Sequence, residues 1–133
     1  MNRNEFGLVK NFTSAGDIKP RRIVAFAAAE GKVETAVSPT AKPLIGVSGV
    51  IGAVAADERI DVYLGDVQLV EAGAAFGQGV RLTTDAEGRV IAAAPGATLT
   101  HHTIGLSLGP STALGELVPV RILQGSLSNA ANA

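Results

Sequence analysis

Ala29-Glu30-Gly31-Lys32-Val33 returns 57 residues later as Ala86-Glu87-Gly88-Arg89-Val90. Further along, Ile45-Gly46-Val47-Ser48 returns as Ile104-Gly105-Leu106-Ser107 at an offset of 59. Glu58-Arg59-Ile60-Asp61-Val62 finds a looser partner in Glu116-Leu117-Val118-Pro119-Val120 at 58. Three matches in one order at a near-constant offset predict a duplicated unit covering 23–64 and 80–122. Each unit reads as a hairpin with a Glu-Gly-basic tip, an Ile-Gly strand, a loop of small residues and a closing strand. The tip glycine supplies the positive φ that a tight turn requires.

Outward from these echoes, short Val/Ile/Leu runs are punctuated every eight to twelve residues by Gly, Pro or Asp, the spacing of an all-β sandwich or barrel. The expected strands are 22–27, 32–37, 44–48, 59–64, 67–71, 80–84, 89–93, 102–108 and 117–123. Ile60, Val62, Leu64 and Val118, Val120, Ile122 alternate with polar or outward positions, as half-buried strands do. Pro119 lacks a ladder donor and points to an edge strand or an outward-facing position. Ala72 to Phe76 reads as a single helical turn. The fold class expected is a compact, barrel- or sandwich-like all-β body of short antiparallel strands in two related halves, 23–125. An extended arm, 1–22, precedes it and a frayed tail, 126–133, follows.

The chain has 133 residues, enough for one domain. Charged residues are 17% of the sequence and the net charge is -1, against both a disordered chain and an autonomous nucleic-acid binder. Cysteine is absent, which removes disulfides, thiolate metal sites and cysteine nucleophiles. The uncharged stretches 43–56 and 90–115 are too short or too broken by Pro, His and Gly for a spanning helix, and Glu5 sits where a signal peptide would be apolar. Neither membrane nor direct nucleic-acid contact is expected.

No catalytic, cofactor-binding or metal-binding constellation emerges. His101 and His102 are the only histidines, and neighbours on a strand point to opposite faces. The carboxylates are scattered and read as solvated loop and strand-face charges. The glycines match no phosphate-binding motif, and no nucleophile elbow occurs. Lys32 at a hairpin tip has the placement of a carrier-domain lysine, but Arg89 holds the equivalent place, so a charged turn is the simpler reading. The expectation is therefore a binding or structural protein and not an enzyme.

Residues 1–22 carry a charge of +3 against -4 for the remainder. Their apolar residues are isolated, without a sustained period. They read as an arm that gains order on a partner, with Phe6, Leu8, Phe12, Lys19, Arg21 and Arg22 as its contacts. The alternative is that the segment is a strand of the body or of a neighbouring copy.

Ile23-Val24-Ala25-Phe26, Pro43-Leu44-Ile45-Gly46-Val47, Glu58-Arg59-Ile60-Asp61-Val62, the run from Gly79 to Val90, and Ile104-Gly105-Leu106 together resemble the head decoration, or capsid cement, proteins of tailed bacteriophages. The likeness spans about residues 15–125. It implies a β-rich structural virion protein, made in the host cytoplasm and placed on the capsid exterior. There it would bind the major capsid protein and reinforce contacts between subunits. It also implies a homo-oligomer, with a trimer favoured over a dimer, and makes the six arm residues capsid-contact candidates. The alternative class is a non-enzymatic domain binding a small molecule or glycan, against which the lack of Trp and the single Tyr count.

Overall fold

The computed structural model describes residues 8–96 and 99–128. Ten strands follow in order: β1 (Val9–Ser14), β2 (Ile23–Phe26), β3 (Lys32–Thr35), β4 (Gly46–Ser48), β5 (Arg59–Tyr63), β6 (Val67–Glu71), β7 (Arg81–Thr84), β8 (Val90–Ala92), β9 (Thr100–Ser107) and β10 (Leu117–Ser128). They make an all-β body of two five-stranded sheets. In the first, the order is β1-β3-β2-β4-β5 and β5 pairs back to β1. In the second, the order is β6-β10-β9-β7-β8, and the sheet is open. Together they form a sandwich-like body, with no barrel running through both.

The second sheet repeats the first pairing by pairing. Phe12 opposite Ile60 becomes Val70 opposite Val118, and Val9 opposite Tyr63 becomes Val67 opposite Arg121. Val24 opposite Gly46 becomes Leu82 opposite Gly105, and Ser48 opposite Val62 becomes Ser107 opposite Val120. Even the isolated bridges recur: Ile18 with Ala53 returns as Phe76 with Ser111. The parallel ladder that closes the first sheet, Ser14 beside Val33, survives in the second as the single parallel bridge Ala72 to Val90. The repeat therefore begins at β1, near residue 8, and includes β6 as its second copy.

This placement corrects the reading of residues 8–22 as an arm. Along β1, Phe12 and Ser14 point inward and are buried, while Val9, Lys10 and Asn11 face solvent. A strand with so few inward residues carries almost no periodic signal, yet it is held by five pairs to β5 and two to β3. Two smaller corrections concern the second half. Ala72 to Phe76 is no helix but two bridge positions, and β10 runs on through Ser128, paired to Thr100, where a frayed tail was expected. Pro119 lies in a central strand between β6 and β9, half-exposed and one residue beyond the last pair to β9.

Two apolar clusters fill the body. One is the interior of the first repeat: Phe12, Ile18, Val24, Val33, Ala53, Ile60 and Val62. The other contains the equivalents Val70, Leu82, Val90, Val118 and Val120, and extends across to Ile23, Ala25, Leu44 and Val47 of the first repeat. Strand β2 is thus apolar on both faces, one for its own interior and one for its neighbour. Fully burying each such aliphatic side chain stabilises the body by about 1.5–3 kcal/mol. The Ile-Gly motif marks where strands approach most closely. A Cβ on Gly46 would strike the carbonyl of Tyr63, and one on Gly105 the carbonyl of Arg121.

Candidate functional site

The sequence placed the functional residues on an arm, and the fold disperses them. Phe12 is buried in the first core, its ring edge-on to Phe26 at 5.8 Å. Arg22 is likewise taken up inside the body. It pairs with Glu71 at 3.2 Å and donates to the Glu87 carbonyl at 2.9 Å, tying the first repeat to the second. Leu8 is 64% exposed and Lys19 is exposed, while Arg21 is half-buried with a φ of 62°. Phe6 lies outside the described residues.

A surface missed at the sequence level is the loop between β4 and β5. Val50, Ile51 and Val54 are 67%, 77% and 83% exposed, although the backbone beneath them is firmly held. Ile18 and Ala53 exchange two backbone hydrogen bonds, at 2.7 and 2.8 Å, and Arg21 N–H donates to the Gly49 carbonyl at 3.1 Å. The Glu58 carboxylate accepts from Val54 N–H at 3.0 Å, and Ser14 Oγ donates to the Ala55 carbonyl at 2.7 Å. A loop ordered in advance loses little conformational freedom when its exposed side chains are covered. Lys19 and Arg21 lie in the segment bonded to it.

The second repeat builds the same loop between β9 and β10. Phe76 and Ser111 exchange hydrogen bonds at 3.0 and 2.9 Å, and Thr112 N–H donates to Glu116 at 3.0 Å. The Thr112 hydroxyl and N–H hold the Glu116 carboxyl below the usual carboxylate range. Leu108 and Leu114 stand exposed here. The signal available in sequence was the run of Val and Ile among Gly and Ala at 49–56, which reads equally as a loop of small residues.

Several acidic groups elsewhere are occupied by neighbours. Asp85 binds Arg89 at 2.9 Å and caps the second tip by accepting from Glu87 N–H and Arg89 N–H. That hydrogen bond raises the Arg89 pKa further above its ordinary value. Lys32 pairs with Asp57 at 2.6 Å, Lys42 with Glu34 at 2.7 Å, and Asn11 donates to Asp61 at 3.0 Å. Among the described residues no group of three or more His, Cys, Asp or Glu is placed to hold a metal ion. His101 and His102 are half-buried in β9, with His102 N–H donating to the Pro39 carbonyl at 2.7 Å. What the surface offers is apolar area on rigid loops, which suits binding.

Comparison with known proteins agrees with a phage structural origin. A search of curated proteins gives no match. Among solved structures, the head fiber gp8.5 N base of bacteriophage phi29 is similar, with a TM-score of 0.65 at 20% identity over 91% of this chain and 99% of that one. At that identity the likeness speaks for the fold. The family model described as phage cement protein matches residues 3–122, a span that closes at the end of the second repeat. The chain belongs to the phage cement protein family and is a virion-associated structural protein of a phage.

Proposed function

We propose that this protein binds the outer surface of a phage head, against the major capsid protein, and reinforces contacts between capsid subunits without catalysis. It is made in the host cytoplasm and acts as a homo-oligomer, a trimer in preference to a dimer, suited to the three-fold junctions of a shell. The observation that carries this reading is the pair of repeat-equivalent loops that hold large apolar side chains in water on a hydrogen-bonded frame. Cementing a lattice needs covered area many times over, and modest affinity per copy accumulates across the shell. Val50, Ile51 and Val54, flanked by Lys19 and Arg21, are the proposed contact residues. Leu8 lies beside the turn at Gly65.

Sedimentation of the protein with mature heads stripped of their own decoration tests this. Saturable binding by the wild type is expected. Replacing Ile51 and Val54 by Asp removes two apolar contacts worth about 1.5–3 kcal/mol each, so affinity falls by about 100-fold or more. A folded wild type that ignores the heads, or a double variant that binds as tightly, would contradict the proposal.

A further inference from the structure

The contact between the two repeats joins unlike surfaces. The outer face of β2 and β4 in the first repeat, with Ile23, Leu44 and Val47, packs on the second repeat beside the β7–β8 tip. Ile23 N–H donates to the Gly88 carbonyl at 2.7 Å, Arg22 reaches the Glu87 carbonyl, and Thr84 Oγ1 donates to the Ala36 carbonyl at 3.4 Å. The reciprocal set, Arg81 on Gly31, does not occur among the described contacts.

Each repeat therefore leaves one half of this contact unused. The face equivalent to Ile23, Leu44 and Val47 is Arg81, Thr103 and Leu106. It lies open as a groove of about 460 Å³, walled by Leu123 where β10 runs on past its bulge. The tip equivalent to Thr84 and Gly88 is Phe26 and Gly31. Thr84 is fully buried whereas Phe26 is 51% exposed, and Gly88 is buried whereas Gly31 is exposed. At the tip, and at Arg81 and Leu106 against Ile23 and Val47, burial tracks whether a neighbouring repeat is present, while Thr103 is covered by its own repeat.

We propose that a second copy of this chain supplies that neighbour. The first-repeat tip of one copy, Phe26 to Lys32, docks in the Arg81–Leu106–Leu123 groove on the second repeat of the next, continuing the contact made within the chain. Phe26 is the apolar anchor of the tip, and Glu30 brings a carboxylate towards Arg81. Because the two surfaces differ and each copy carries one of each, the contact propagates head to tail and closes as a ring. This inference rests on the homo-oligomer reading above and names its interface.

Sedimentation velocity of four samples tests it: wild type, Phe26→Glu, Leu123→Glu, and an equal mixture of the two variants. The wild type should be a closed oligomer, and each variant alone a monomer whose self-association is weakened by about 30-fold or more. The mixture should give a dimer, because one variant keeps an intact groove and the other an intact tip. A mixture that stays monomeric, or an oligomer that survives both substitutions, overturns this interface and leaves the homo-oligomer reading standing. A monomeric wild type overturns both. Should Phe26→Glu fail to fold through loss of its packing on Phe12, Glu30→Arg and Arg81→Glu serve instead. Each should dissociate the oligomer and the double reversal should restore it, and absence of restoration counts against the interface.

Discussion

The two repeats share all four antiparallel strand pairings and differ in what their outer faces meet. Strand β2 reads Ile23-Val24-Ala25, buried on both sides, whereas β7 reads Arg81-Leu82-Thr83, with Arg81 in water. The inner positions, Val24 and Leu82, stay apolar because the strand register sends them inward in both copies. The outer positions are free to specialise, and in the first repeat they have become the glue between halves. Hydrogen bonding follows the same logic. Ser48 Oγ accepts from Arg22 N–H and donates to the Lys19 carbonyl, and Ser107 Oγ accepts from Val80 N–H and donates to the Gly77 carbonyl. The Ala55 carbonyl is satisfied by Ser14 on β1, while its equivalent, Ala113, is satisfied by Ser111 within the loop. The hydroxyl has moved to another element and the carbonyl's requirement has persisted.

The harshest way to break this comparison is to delete residues 2–17. The deletion removes β1, which pairs with both β3 and β5, so the first repeat should lose its cooperative unfolding transition and much of its β circular dichroism. A mutant with the wild-type spectrum and melting temperature would show that the first repeat does not need its closing strand. A finer cut uses equivalent residues of unequal burial. Ile104 is fully buried and Ile45 only partly. Ile104→Ala should cost about 2–5 kcal/mol in urea denaturation, and Ile45→Ala clearly less.

Where the repeats agree, the effects should agree. Ser48→Ala and Ser107→Ala each strip a buried N–H and a carbonyl of one partner, at a cost of about 1–3 kcal/mol, and the two values should match within about 0.5 kcal/mol. Unequal costs would mean that the two bonding patterns are not energetically equivalent. The smallest effect concerns Glu116. Its folded-state pKa is lowered, so its contribution is present above the ordinary carboxylate range and lost as pH falls through the depressed value. Glu116→Gln should flatten that acid limb slightly and converge with the wild type at lower pH, a difference readable by thermal melts across the titration.

The nine strands expected from 22 onward correspond to β2–β10, because each contributes at least one buried Val, Ile or Leu and most turns are marked by Gly, Pro or Asp. The tenth was hidden. Val9–Ser14 shares only Val9 with its copy Val67–Ala72, and its inward residues are one Phe and one Ser. The legible clue was the spacing of 58 from Phe12 to Val70 and from Ile18 to Phe76, apolar on apolar. Burial of Phe12 follows from that missed strand, and engagement of Arg22 from the contact between the repeats. The rigid apolar loops were illegible for another reason: their order comes from hydrogen bonds to residues far along the chain, such as Ser14 to Ala55.

The central claim is reinforcement of a shell, and the most direct measurement is the temperature at which stripped, DNA-filled heads rupture, with and without bound protein. The account predicts that saturating wild-type protein raises the rupture temperature, and that the Ile51→Asp, Val54→Asp double variant at the same concentration leaves it where undecorated heads stand. Heads that carry a full complement of the wild-type protein and still rupture at the undecorated temperature would contradict it.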